Sequence, residues 1–200
     1  TYTKEIRPII EKNAASRPAA TADGNPVGKR LSRVKRFLIS DIDNTLICEE
    51  NNSGLEELIQ WLRENRGEVG FGVATGRRAD SAVELLEKYG FPKPDVVISD
   101  VGTEIYYGSE LRYDKGWDAH IASRWDRRKI QERLSDFDFL ELQEASAQRK
   151  YKISYNMAPA KDQVARIHNK LAQSRLRYTL IYSHERYLDT IPYRASKGKA

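Results

Sequence analysis

Apolar residues along this 200-residue chain fall into short runs and one-sided stripes separated by polar breaks. Phe37-Leu38-Ile39, followed by Ser40, is an apolar run without alternation, the pattern of a central parallel strand covered on both faces. Over residues 55–65, Leu55, Leu58, Ile59 and Leu62 share one face of an amphipathic helix. Residues 68–74, rich in Val and Gly, predict a second strand. Residues 79–89 predict a second helix, with Val83, Leu86 and Tyr89 turned inward and Gly90 and Pro92 as its stop. Val96-Val97-Ile98 predicts a third strand, and residues 103–107 one strand of a small hairpin. This β-α-β-α-β alternation predicts an α/β fold with a parallel sheet and right-handed crossovers.

From Trp117 the pattern changes. Residues 119–135 read as a strongly charged helix, 139–143 and 151–156 as strands, 160–173 as a helix, and 178–183 and 187–191 as strands. Helix, two strands, helix, two strands describes a separate α+β layer, an insert over the first sheet spanning residues 113–192. Residues 12–30 are small and polar, are broken by Pro18 and Pro26, and have no apolar period, so they read as a linker. Residues 2–11 read as the end of a preceding element. The expected organisation is a basic linker or tail at 1–35, a core at 36–112 resumed at 193–200, and the insert between them.

Composition changes this picture in two places. Residues 1–40 hold nine Lys or Arg against three Asp or Glu, a net of +6, while the other 160 hold 25 against 26, a net of −1. The overall +5 therefore belongs to the tail. No aromatic residues interleave with those charges as a base-stacking platform would need, so a solubilising linker is the expectation rather than a nucleic-acid contact. The single cysteine, Cys48, rules out an internal disulfide framework and suits a cytoplasmic location. No apolar run approaches the roughly 18 residues of a membrane span, and no export signal follows Thr1. The absent initiator Met points to a fragment or a processed chain.

The sharpest chemical feature is Asp41-Ile42-Asp43-Asn44-Thr45, at the end of the first strand. In an open parallel sheet, ligands bind beyond the carboxyl ends of the strands. Two carboxylates there repel each other unless a cation compensates, and Mg²⁺ is hard, oxygen-preferring and at home between carboxylate and phosphate. The competing reading is an ordinary turn rich in Asp, Asn and Thr. The second strand ends in Ala74-Thr75-Gly76-Arg77, where a hydroxyl and backbone N–H groups can hold a phosphate, or where Thr75 caps a helix. Ser196-Lys197-Gly198-Lys199 follows the insert; a lysine there can neutralise a phosphate or a carboxylate, or be part of a solvated charge run.

In order and spacing, residues 36–200 resemble the haloacid dehalogenase superfamily: Asp-x-Asp-x-Thr, then Thr-Gly-Arg, then Lys-Gly after an inserted cap. Within it the chain resembles the sucrose-phosphate phosphatase family and the phosphatase-like domain of sucrose-phosphate synthase. The residues that carry this likeness are Ser40 to Thr45, Val101-Gly102-Thr103-Glu104-Ile105-Tyr106-Tyr107, Lys152-Ile153-Ser154-Tyr155, Leu188-Asp189-Thr190-Ile191-Pro192 and Arg194-Ala195-Ser196-Lys197-Gly198. The resemblance implies a Rossmann-like core of the haloacid dehalogenase type with an α+β cap, a Mg²⁺ cofactor and hydrolysis of a sugar phosphate, sucrose 6-phosphate. It also implies a place behind a glycosyltransferase domain. The family's fourth motif, an acidic Gly-Asp loop, falls after Ala200. The alternative is a non-catalytic phosphatase-like module that binds sugar phosphate or supports a sucrose-phosphate synthase.

The resemblance also assigns roles. Asp41 attacks phosphorus to form an aspartyl-phosphate, Asp43 is general acid and then base, and both bind the metal. Thr75, Gly76 and Lys197 take the phosphate oxygens, with Thr45 and Arg77 beside them. In the cap, Gln148, Lys152, Tyr155 and Asn156 are candidates for the sugar, with Gln148 and Lys152 favoured. The competing reading puts Lys152 and Ser154 on an outer strand face and packs Ile153 and Tyr155 inward. His120, His168 and His184 lack metal-ligand spacing, and Trp61, Trp117 and Trp125 read as packing residues.

Overall fold

The structure, a computed structural model, describes residues 26–48, 53–159 and 162–200. Residues 1–25, the larger part of the expected basic linker or tail, lie outside the described residues. Order begins earlier than the sequence indicates: Pro26–Leu31 forms a short helix, α1. Arg30 explains it. Its guanidinium forks onto the buried Asp95 carboxylate, with Nη2 2.9 Å from Oδ2, and also donates to the Val69 carbonyl. Asp95 accepts Phe71 N–H as well, so one ion pair fastens α1 to two core strands.

The core sheet has the order β1 (Arg36–Ser40), β2 (Val69–Ala74), β3 (Val96–Ser99), β4 (Glu104–Tyr107), β5 (Arg112–Tyr113). The first three strands are parallel, and β4 and β5 add an antiparallel extension. The crossover helices α2 (Leu55–Glu64) and α3 (Ala79–Lys88) bury Ile59, Leu62, Ala82 and Leu86 against Phe71, Val73 and Val97. On the other face Phe37 packs with Val96, Ile98 and Ile105. Gly70 and Gly72 make that possible: a Cβ on Gly70 would sit 2.4 Å from the Phe37 ring.

The insert begins with two helices, α4 (Lys115–Ala122) and α5 (Arg127–Leu134), where the charge pattern reads as one. The break has local causes. Arg124 takes a left-handed φ of 60°, and the Asp126 side chain caps α5 by accepting Lys129 N–H. The cap sheet has the order β6 (Leu140–Leu142), β7 (Ile153–Met157), β9 (Tyr187–Pro192), β8 (Tyr178–Ser183), all antiparallel. Helix α6 (Gln163–Ala172) and α5 close one face over Ile153, Tyr155, Met157 and Leu188. Trp117 and Trp125 pack as expected, but Trp61 is 42% exposed. Among the described residues, no helix is long and apolar enough to cross a membrane.

Candidate active site

Parallel pairing brings the functional residues to one edge. Ser40 lies opposite Val73, and Ala74 opposite Ile98, so Asp41, Thr75 and Asp100 leave adjacent strand ends in the same direction. After β1 the chain turns at once: Ile42 is fully buried, Asn44 takes a left-handed φ of 56°, and Thr45 N–H and Leu46 N–H return to the Ile42 carbonyl. That buried anchor turns Asp41 and Asp43 out on either side of it.

Both carboxylates are paired. Asp41 Oδ1 accepts Ile42 N–H at 2.9 Å, and Oδ2 lies 2.6 Å from Lys197 Nζ, which arrives from 156 residues along the chain. Asp43 takes three contacts from Arg77: Nε at 3.0 Å from each oxygen and Nη2 at 2.6 Å from Oδ1. The hydrogen bonding to Asp43 pushes the Arg77 guanidinium pKa up.

Thr75 is fully buried, and its hydroxyl accepts Arg77 N–H at 3.1 Å. It does not cap the helix: α3 starts at Ala79 with Arg78 before it, leaving Thr75–Arg78 as a turn. Gly76 is exposed, with open space where a Cβ would project. Thr45 is exposed on the turn after Asp43. A hard cation that keeps several waters and shares a phosphate needs one or two carboxylates, which Asp41 and Asp43 match in type and placement. Among the described residues, no group of three His, Cys, Asp or Glu side chains comes together.

The cap candidates separate. Gln148 is spent inside the cap: its amide donates to the Gln143 and Ser154 carbonyls and accepts from Ser154 N–H and Arg127. It braces the loop before β7. Tyr155 is buried in the cap core, where loss of solvent pushes its pKa up to about 12. Asn156 opens into a shallow hollow of about 550 Å³ with Asp138, Glu141 and Arg186; another such hollow lies on α6, and neither includes Asp41, Asp43, Thr75 or Lys197. Lys152 alone reaches the core. Its Nζ lies 2.7 Å from Asp100 Oδ1, and both residues are buried. Lys152 and Ser154 are therefore not on an outer face, because the core covers that side of β7.

His120 stacks on Trp117, His168 meets Tyr178 and His184 meets Tyr187. Asp100 went unnoticed in the sequence, although it follows an apolar strand as directly as Asp41 does. That position after β3 was the available signal.

Comparison with known proteins bears on this geometry. The family described as Sucrose-6F-phosphate phosphohydrolase matches residues 34–200. Sucrose-phosphatase 1 of Nicotiana tabacum is 33% identical over 174 residues, covering 84% of this chain and 41% of that protein. Probable sucrose-phosphatase 2 of Arabidopsis thaliana is 32% identical, covering 86% and 42%. The chain thus spans about two fifths of the length of these curated relatives. Among solved structures, the sucrose-phosphatase of Synechocystis in complex with sucrose and phosphate superposes with a TM-score of 0.75 at 28% identity, covering 83% of this chain and 67% of that one. A haloacid dehalogenase-like hydrolase of Bacillus subtilis, with a TM-score of 0.50 at 20% identity over 84% and 72%, shares the fold.

Proposed function

The chain belongs to the sucrose-6F-phosphate phosphohydrolase family, and from that premise we propose that it forms the catalytic face of a phosphatase that hydrolyses sucrose 6-phosphate to sucrose and phosphate. The observation that carries this reading is the 2.6 Å contact of Lys197 with Asp41, which joins two distant motifs at the edge where the Thr75–Arg77 turn presents the exposed Gly76.

Asp41 is the nucleophile. Ile42 N–H and Lys197 fix its carboxylate at the strand tip, one on each oxygen. Its oxygen bonds to phosphorus as the bond from phosphorus to the sugar oxygen breaks, giving an aspartyl-phosphate. Asp43 gives a proton to the departing sugar oxygen. It then takes one from the water that attacks phosphorus and releases Asp41. To act as an acid, the Asp43 carboxylate must leave Arg77 and take up a proton from solvent, which it then passes to the sugar oxygen; the pair is exposed enough to exchange partners at little cost. Lys197, Gly76 N–H and the Thr75–Arg77 turn hold the non-bridging oxygens, since phosphoryl transfer demands positioning and charge neutralisation above all. Asp41, with Asp43 when ionised, would hold Mg²⁺, which would supply further neutralisation of the phosphate.

This reading is tested by phosphate release from sucrose 6-phosphate, with glucose 6-phosphate and fructose 6-phosphate alongside, using the full natural chain. Selective release from sucrose 6-phosphate supports it. Binding of sucrose 6-phosphate without release would instead identify a non-catalytic module that supports a sucrose-phosphate synthase.

A further inference from the structure

Asp100 is a charged residue in the wrong surroundings for a surface role. Its side chain is 1% exposed, and it sits at the tip of β3, beside the phosphate turn, under the cap. The backbone there is strained. Asp100 and Val101 have φ of 46° and 60°, a left-handed pair that a β-branched valine rarely adopts. Neighbours from every part of the site enforce it. Asp100 N–H donates to the Arg77 carbonyl, Val101 N–H to the Thr75 carbonyl, and Trp117 Nε1 to the Gly102 carbonyl. Gly102 packs against the lysine loop so tightly that a Cβ would sit 2.1 Å from the Ser196 carbonyl carbon.

The side chain faces the cap. Oδ1 lies 2.7 Å from Lys152 Nζ, outside hydrogen-bond geometry and with no other partner, and Oδ2 lies 3.4 Å from Arg149 Nε. The charges around it also include Asp189, which accepts Ser154 Oγ–H at 2.6 Å and feels the Asp100 charge. One core carboxylate thus meets two cap cations, while its own backbone is bonded to the Thr75–Arg77 turn. Lys152 has three donors and Asp100 engages its ammonium from one side only.

We propose that Asp100 is a positioning residue, a latch that seats the cap over the catalytic edge and aims Lys152 at the sugar. This inference rests on the phosphatase reading above. A buried pair of this kind adds little net stability over apolar packing, yet it is costly to break, so its effect is to fix one geometry. The carboxylate holds the long, otherwise mobile lysine in register with the phosphate turn, so that sugar and phosphate are recognised at one fixed separation.

The test uses the full natural chain with Asp100→Asn, which keeps the shape and tolerates a left-handed φ. The readout is specificity: kcat/KM for sucrose 6-phosphate divided by that for p-nitrophenyl phosphate, which has no sugar. The expected result is a fall of about tenfold in this ratio, the scale of losing one charged contact. In Asp100→Asn combined with Lys152→Met, the ratio should match that of Lys152→Met alone, because both changes remove the same contact. A merely structural Asp100 would lower activity on both substrates together. An unmoved ratio, or effects of the two substitutions that simply multiply, overturns the latch while leaving the phosphatase reading intact. A wild-type protein unable to hydrolyse sucrose 6-phosphate overturns both.

Discussion

Asp41 and Asp43 meet their cations with side chains about two fifths exposed, whereas Asp100 meets two cations with 1% of its side chain exposed. The chemistry of the pairs is alike, carboxylate against lysine or arginine. Solvent makes the difference. A pair in water can open and re-form for a few tenths of a kcal/mol up to about 1 kcal/mol, so its members are available to a substrate. A pair shut away from water cannot open without stranding a charge, so its members hold position. The edge proposed as catalytic is built from exchangeable contacts, and the cap–core junction behind it from a fixed one.

Four substitutions sharpen this contrast and one pH series extends it. The largest effect belongs to Asp41→Asn, which removes the attacking oxygen's charge; kcat on sucrose 6-phosphate should fall by about 10⁴-fold or more, measured as phosphate release. Asp100→Ala should come next, lowering the unfolding free energy by about 3–5 kcal/mol in denaturant titrations, because Lys152 and Arg149 lose their buried counter-charge. Near-wild-type stability there would erase the distinction drawn above. Lys197→Met should cost about 10²–10³-fold in kcat, the usual loss for one charge-stabilising donor, with only a small change in stability, since its pair is half exposed. Asp43→Ala should shift unfolding by less than about 0.5 kcal/mol, because Arg77 remains in solvent.

The smallest expected effect concerns Asp189. Burial raises its carboxyl pKa, against the pull of Ser154 and Lys152. Above its ordinary range the unfolded carboxyl is ionised while the folded one still holds its proton, so the folded state binds more protons. Its contribution to stability is then greatest below the usual carboxylate range and lost as pH rises through the raised value. Asp189→Asn should flatten the fall in melting temperature over that interval. An unchanged slope would show that Asp189 does not sense the buried junction.

Much of the core was legible because its signals are local. The runs at Phe37–Ser40 and Val96–Ile98 lack polar alternation, and each became a parallel strand within a residue of expectation. But β1 lies at the edge of the described sheet with Ile39 exposed, not in the centre covered on both faces as its apolar run suggests, because a run of three apolar residues does not say how many strands flank it. The stripe from Leu55 to Leu62 became α2 for the same reason. The positions of Asp41, Asp43 and Thr75 could be picked out because strand ends are marked in sequence by the switch from apolar to polar, whereas Lys197, five residues beyond the end of β9, was singled out only through the family resemblance. Where local signals conflict, reading failed. Residues 119–135 read as one strongly charged helix, and only the Arg124 backbone and the Asp126 cap divide them into two. Pro26–Leu31 has no apolar stripe, and its order depends on Arg30 finding Asp95, 65 residues away. Gln148, Lys152 and Tyr155 all read as candidates for the sugar around one strand, with Gln148 and Lys152 favoured by the resemblance, yet one braces a loop, one crosses to the core and one lines the cap interior.

By itself, the sequence determined most strands and helices from Arg36 onward, the change of pattern after Trp117 that marks a second sheet, and the motifs at the ends of β1 and β2. These follow from periodicity and from the preference of turns and strand ends for particular side chains, which act over a few residues. Tertiary structure alone decided which charges meet. Lys197 reaches Asp41, Arg77 holds Asp43, and Lys152 with Arg149 closes on Asp100, because sheet register and cap docking bring together residues with no sequence signal linking them. Whether each of those pairs stands in water or out of it was settled in the same step, since burial belongs to the packed molecule and not to any segment of the chain.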